Sequence, residues 1–201
     1  MPRANKHVQR SERTRARLID AARELFPERG YARVSVEEIV RRAGVTRGAL
    51  YHQFPDGKRD LFAAVFDAVE EDVMAGIADT LAKAGVDDPL GGMRAGLDAT
   101  LDLALDPKLV QLTILDAPNV LGWEEWRAAG ERYGLGLVRA GLTAAMEAGT
   151  ISRAPIDPLA QLLLAAVEEA VVYVARAGDS KSARRQAEAA LHRLLDGLGA
   201  D

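Results

Sequence analysis

The residues best suited to chemistry lie in one short stretch, Gly44-Val45-Thr46-Arg47-Gly48-Ala49-Leu50-Tyr51-His52-Gln53-Phe54, and that chemistry is recognition rather than bond-making. Arg47 carries a planar guanidinium able to bond a guanine edge twice, and Gly48 and Ala49 leave the backbone free to approach base edges closely. Thr46 and Arg47 open a helix, where free N–H groups and the dipole favour an anion. Tyr51 and His52 follow at its far end; taken alone, Tyr51 reads as a packing residue and His52 as a surface or core histidine. The stretch offers no nucleophile or metal box. The chain has no cysteine, which removes disulfides, thiolate sites and cysteine nucleophiles. Its three histidines, His7, His52 and His192, form neither a His-Glu-x-x-His nor a Glu-x-x-His pattern. Neither catalytic residues, a metal nor a cofactor is expected.

The elements that hold this stretch are helical. Apolar positions recur at helical spacing almost throughout, and no segment sustains the alternation of a strand. The periodicity predicts an all-α chain of about nine helices. The first is predicted over Ser11–Arg29, capped by Ser11 and ended by Gly30, with Leu18, Ile19, Ala22, Leu25 and Phe26 on one face. Ser35-Val36-Glu37-Glu38 has capping-box spacing and starts a second helix. Ala43-Gly44-Val45 interrupts it, and Thr46 caps a third, 47–54. Two short helices joined by a tight turn containing glycine make a helix-turn-helix. Pro55-Asp56-Gly57 breaks the chain before a long helix, Lys58–Ala84, ended by Gly85 and Asp87-Asp88-Pro89. Further helices are expected at 90–105, 107–116, 123–148, 155–177 and 180–198. The division is drawn as a DNA-reading domain with a basic arm at 1–57 and a helical body at 58–201.

Charge follows the same division. Residues 1–60 hold 14 Lys/Arg against 8 Asp/Glu, whereas residues 61–201 hold 12 against 22. A basic head on an acidic body points to a nucleic-acid contact at the N-terminal end, because phosphate binding needs only local positive charge. The arm residues Arg3, Lys6, Arg10 and Arg13 read equally as minor-groove contacts or as a solvated tail. No secretory signal is read at the N-terminus, and the apolar run 159–167 is too short to span a bilayer. A cytoplasmic protein without a membrane partner is expected.

The stretch from Gly30 to Phe54, with Ala43-Gly44-Val45-Thr46-Arg47-Gly48-Ala49-Leu50-Tyr51-His52-Gln53-Phe54 at its heart, resembles the DNA-binding head of the tetracycline-repressor (TetR) family. The resemblance is specific over 11–68 and only architectural beyond. It implies a homodimeric transcriptional regulator on a palindromic double-stranded operator, a repressor released by a small-molecule effector. It also implies that Tyr51, His52 and Lys58 grip phosphates, with Ser35 doing so from the second helix, while Thr46, Arg47, Gly48 and Ala49 face the groove. One departure stands out: Asp56-Gly57 precedes Lys58, where many relatives have a single residue. Glu37 occupies a second-helix position where an acid would accept from cytosine or face solvent.

The resemblance further implies a pocket in the body and dimerisation through the last two helices as a four-helix bundle. The apolar residues of 155–177 cover more than one face, and Ala187, Ala190, Leu191, Leu194, Leu195 and Leu198 make a narrower stripe, consistent with that bundle. Polar and aromatic residues in otherwise apolar helices, Asp116, Trp123, Trp126, Tyr133, Glu168, Glu169 and Tyr173, are the candidate effector contacts. Glu168 and Glu169 are adjacent and cannot both face inward. A carboxylate in an apolar cavity would suit a cationic or hydrogen-bond-donating ligand. A ligand-independent DNA-binding or architectural protein, and a helical-bundle enzyme, are the other classes weighed.

Overall fold

The computed structural model describes residues 2–84 and 88–199, without the side chains of residues 2–7 and 84. Gly85 and Asp87, expected to end the fourth helix, and the side chains of Arg3, Lys6 and His7 lie outside the described residues. Within them are nine helical segments: α1 (Pro2–Arg29), α2 (Val36–Ala43), α3 (Arg47–Gln53), α4 (Lys58–Ala84), α5 (Pro89–Leu103), α6 (107–121), α7 (Trp123–Glu147), α8 (Ile156–Arg176) and α9 (Ser180–Asp196). The one extended pairing among the described residues is an isolated antiparallel bridge between Ile151 and Gly199. The all-α expectation holds.

Two elements differ from expectation. The first helix begins at Pro2 rather than Ser11, so the basic arm is helical backbone. Proline is accepted in a first turn, and no glycine or second proline interrupts the chain before Ser11. Ser11 is therefore not an N-cap; its Oγ accepts a hydrogen bond from Gln53 Nε2 at 2.7 Å. The second difference is α6, expected over 107–116, which is composite. It opens as Pro107–Leu109, widens into a π-helical stretch at Val110–Asp116 and closes as Ala117–Leu121. Pro118 has no N–H to donate to the preceding turn, which breaks the regular ladder at that point.

The chain divides into two compact units. The head unit comprises residues 1–69 and 111–123, and the body unit residues 70–110 and 124–201. The head thus does not end at the 57/58 boundary read from the sequence. Leu61, Phe62 and Val65 of α4 are fully buried together with Leu18, Ala22 and Phe26 of α1, Ile39 of α2 and Leu50 of α3. Each of the leucine, isoleucine, valine and phenylalanine side chains contributes about 1.5–3 kcal/mol of burial, so the first turns of α4 belong to the head's core. Phe26, Tyr31 and Phe62 meet as a ring cluster with centroids 5.2–5.6 Å apart.

The body's core joins Leu97 and Leu101 of α5, Leu142 and Ala145 of α7, Leu163, Val167 and Val174 of α8, and Ala183, Ala187, Leu191 and Leu195 of α9. By length and composition alone, α8 is apolar enough to cross a membrane, with mean hydropathy 1.5. One of its sides feeds this core, while Leu162 on another is 70% exposed.

Candidate functional site

The head presents α3 through a chain of local devices. Gly30 ends α1 at φ 76°, and a short 3₁₀ turn, Tyr31–Arg33, leads to α2. Ser35 caps α2, its side chain accepting from Glu38 N at 3.2 Å. Gly44 closes α2 in the left-handed region at φ 61°, and a Cβ there would lie 2.6 Å from Arg17 Nη2. The turn thus needs glycine both for its dihedral and for the approach of Arg17, which donates to Gly44 O at 3.3 Å. Thr46 caps α3, accepting from Ala49 N at 3.2 Å. Each cap stabilises its helix by about 1 kcal/mol. Leu50 and Phe54 turn into the core, which fixes which face of α3 remains outside.

That outer face carries Thr46, Arg47, Gly48, Tyr51 and His52, all exposed, with Ala49 half-buried. A Cβ added at Gly48 would meet nothing within 4 Å, so this part of the helix is open to an incoming surface. Arg47 Nη1 is 2.7 Å from Glu37 Oε1, and its Nη2 is 3.5 Å from the Tyr51 hydroxyl. The guanidinium stands 5.6 Å from the centre of the Tyr51 ring. Glu37, left open in the sequence between base reading and solvent, is therefore paired across the two helices with the side chain best suited to base reading.

Gly57, the extra residue before Lys58, has a specific task. It is buried at φ 66°, and a Cβ there would lie 2.9 Å from Tyr51 Cε1. The departure from the usual spacing seats the Tyr51 ring on bare backbone, with its hydroxyl toward Arg47. The sequence displays the insertion but not this use; glycine directly after a Pro-Asp turn is the available signal.

Lys58 is placed differently from the phosphate-gripping role implied for it. Its Nζ donates to Tyr31 O and Val34 O, each at 2.9 Å, and stands 4.0 Å over the Tyr31 ring. Burial lowers its pKa and the nearby Asp116 carboxylate pulls it back up. Ser35 and Thr46 likewise use their hydroxyl oxygens for capping.

Asp116 belongs to this same bracket rather than to the body. Its Oδ2 accepts from Tyr31 N at 2.7 Å, and Arg59 Nη2 donates to Leu121 O at 3.2 Å. Trp123 also falls in the head unit and is 61% exposed. Asp116 is thereby assigned to a different unit from the candidate effector residues of the body, whereas Trp123 opens α7 three residues before Trp126. An aspartate in an apolar helix resembles a pocket group whenever the hydrogen-bond donor that it serves is distant in sequence, here Tyr31.

In the body, Trp126, Gly130 and Tyr133 lie at i, i+4 and i+7 of α7, which places them on one face. Trp126 and Tyr133 are half-buried. The Glu168 carboxylate of α8 lies against Gly130, filling the space a Cβ would take. Burial raises the pKa of Glu168; Arg127 opposes the rise and Glu131 adds to it. Glu169 is exposed and points elsewhere, into a groove of about 430 Å³ between α8 and α9 lined by Ala166, Ala170, Tyr173, Ala187, Ala190 and Leu194. Tyr173 donates from its hydroxyl to Gln186 Oε1 at 3.1 Å across that groove. Of the seven candidates, then, Trp126, Tyr133 and Glu168 belong to one region and Glu169 and Tyr173 to another.

A capped helix-turn-helix offering an open, arginine-bearing helix face, followed by an all-helical body, defines a DNA-binding regulator of the helix-turn-helix class. Residues 18–65 match the family described as bacterial regulatory proteins, tetR family, and residues 90–198 match the tetracyclin repressor-like C-terminal domain. The chain belongs to the TetR family of transcriptional regulators. Members of this family bind DNA operators, act as dimers and respond to small-molecule effectors; they are not enzymes. The chain is similar to a TetR-family transcriptional regulator from Pectobacterium atrosepticum, with TM-score 0.85 and 30% identity over 96% of this chain and 97% of that one. It is also similar to RolR in complex with resorcinol, with TM-score 0.73 and 26% identity over 93% of this chain and 89% of that one. The transcriptional regulator AcrR of Shigella flexneri is 40% identical over 70 residues, which span 35% of this chain and 32% of AcrR.

Proposed function

We propose that the chain is a homodimeric repressor whose α3 enters the major groove of a palindromic operator and whose body binds a small organic effector that releases it. The observation that carries this reading is the open face of α3, where Arg47 stands beside Gly48 with its guanidinium aligned by Glu37 and Tyr51. Arg47 reads a base edge, Thr46 caps the helix facing the groove, Gly48 and Ala49 allow the approach, and Tyr51 and His52 flank the phosphates. Lys58 and Ser35 act through the frame that holds α2 and α3.

The second copy joins through α8 and α9. Leu162, Ala166, Glu169 and Tyr173 share one face of α8 at i, i+4, i+7 and i+11, beside the apolar groove against α9. Leu162, Tyr173 and Leu194 are 70%, 50% and 57% exposed, large apolar side chains of the kind that a subunit contact covers. RolR was crystallised with resorcinol, and that likeness favours a small organic effector here. Trp126, Tyr133 and Glu168 are the assigned contacts. A half-buried carboxylate between them suits a ligand with a hydrogen-bond donor or a positive charge. A cytoplasmic location accords with these assignments.

Anisotropy titration of labelled duplex from the region beside its own coding sequence, across a salt series, tests the reading. Affinity falls steeply with salt, Arg47→Ala costs about 1–3 kcal/mol on the preferred site, and Tyr51→Phe weakens binding more uniformly. Equal affinity for every duplex tried, unchanged by Arg47→Ala, overturns it.

A further inference from the structure

Two helices of the body meet along a polar seam that the effector and dimer assignments leave unused. Arg94, Asp98 and Asp102 of α5 stand four residues apart, as do Arg184, Glu188, His192 and Asp196 of α9, so each set forms one stripe of its helix. The stripes pair in antiparallel order. Arg94 meets Asp196, Asp98 Oδ1 lies 2.8 Å from His192 Nε2, and Arg184 Nε bonds Asp102 Oδ1 at 2.7 Å. Arg184 also bonds Glu188 one turn along and donates to Asp98 O at 3.4 Å.

The charges along this seam do not balance. Four carboxylates face two guanidiniums, leaving two negative charges in excess while His192 is neutral. Arg94 is taken by Asp196 and Arg184 is shared between Asp102 and Glu188, so the middle of the seam carries part of that excess, and one donor atom each from Asp98, Glu188 and His192 lies there within 4.8 Å of the others. A proton on His192 would cancel half of it. One divalent cation would cancel all of it.

The donor set also has the right chemistry. One imidazole nitrogen and two carboxylate oxygens are ordinary zinc ligands, and a helix-borne pair at i, i+4 is a recurrent way to present two of them. Bonds of about 2.0–2.2 Å place tetrahedral ligands roughly 3.4 Å apart, so the trio needs only small rotamer adjustments to close on an ion. The side chains of His192, Asp98 and Glu188 are 26%, 29% and 32% exposed, screened yet open enough for entry. Glu188 has a second oxygen to offer while Arg184 keeps its bond to Asp102. Motif searching in the sequence passes over this trio because Asp98 comes from a helix 94 residues before His192.

We propose that Asp98, Glu188 and His192 form a divalent transition-metal site, with Zn²⁺ as its ion and water completing the shell, which ties α5 to α9. Because α9 also lines the groove assigned to the second copy, the ion stabilises a helix on which the dimer depends.

The test uses untagged, full-length protein stripped with a chelator and titrated with ZnCl₂ by calorimetry, with thermal melting and histidine NMR in parallel. One saturable Zn²⁺ per chain, a melting temperature raised by several degrees, and perturbation of the His192 ring resonances while those of His52 stay unchanged are expected. Glu188→Gln and His192→Ala each weaken binding at least tenfold, whereas Asp102→Asn, one rung outside the trio, keeps it. Absence of stoichiometric binding, Zn²⁺ affinity equal in wild type and both variants, or a seam that responds to pH through His192 but not to Zn²⁺, overturns the proposal. The wild-type stoichiometry and NMR decide the matter even if a variant fails to fold.

Discussion

Replacing Lys58 with methionine separates two roles for one side chain. As a phosphate ligand, Lys58 would leave the fold untouched when removed and would lower the slope of log affinity against log salt by about 0.9 for each phosphate no longer neutralised. The structure assigns it to the frame. Its ammonium joins Tyr31 O and Val34 O, both in the segment linking α1 to α2, at 2.9 Å, and covers the Tyr31 ring at 4.0 Å. Hydrogen bonds from a charged donor contribute about 1.5–3 kcal/mol each, and the ring interaction about 0.5–1 kcal/mol. Against this, methionine keeps much of the stem packing, removes the cost of desolvating the ammonium and lets water reach the half-open carbonyls. A net loss of about 2 kcal/mol follows, which at this chain length lowers the melting temperature by about 4–8 °C. Thermal melting by circular dichroism, paired with DNA titrations across salt below the melting range, reads both quantities. A reduced melting temperature with an unchanged salt slope is expected. An unchanged melting temperature with a shallower slope would refute the reasoning and return Lys58 to the phosphates.

Three further outcomes follow from the geometry. Glu168→Gln raises the melting temperature by about 2 °C at pH 7.5. The raised pKa of Glu168 means that the folded chain holds its proton longer than the unfolded one, so wild-type stability falls as pH climbs from 4.5 through the folded value. The difference between wild type and variant therefore vanishes at acid pH, and a gap that grows below pH 4.5 contradicts the assignment. Leu194→Arg, in the groove between α8 and α9, converts the dimer to monomer by light scattering and lowers operator affinity at least tenfold; a dimer of unchanged size places the subunit interface elsewhere. Glu37→Gln leaves melting within about 1 °C, because the Arg47 pair is exposed, yet tightens binding to unrelated DNA about threefold by removing a negative charge beside the backbone. Equal affinity of variant and wild type for unrelated DNA removes Glu37 from the DNA-facing surface.

Much of the head is legible in the sequence because its instructions are local. Ser35 and Thr46 cap the helices that they precede, and Gly30 and Gly44 end theirs at positive φ, since each signal acts within four residues of its effect. The amphipathic stripes of α8 and α9 are readable for the same reason. Distant partners are not. Nothing within ten residues of Asp116 announces the Tyr31 N–H that it serves, so an aspartate in an apolar helix reads as a pocket group. The reach of the head into α4 and the segment 111–123 depends on which apolar faces meet, which periodicity alone does not specify. The orientation of Glu168 against Glu169 needs the bare backbone of Gly130 on the neighbouring helix. Gly57 is visible as an inserted residue, but its purpose depends on the Tyr51 ring lying over it.

The central claim, that α3 reads a two-fold operator through Arg47, is tested most directly by selection of bound duplexes from a random-sequence library with wild type and Arg47→Ala in parallel. The wild type should enrich a palindrome whose half-site centres lie about one helical turn apart or a multiple of it, and Arg47→Ala should lose preference at one symmetric pair of positions while keeping the rest. No enriched palindrome, or the same palindrome with undiminished preference at every position in the variant, would contradict the account.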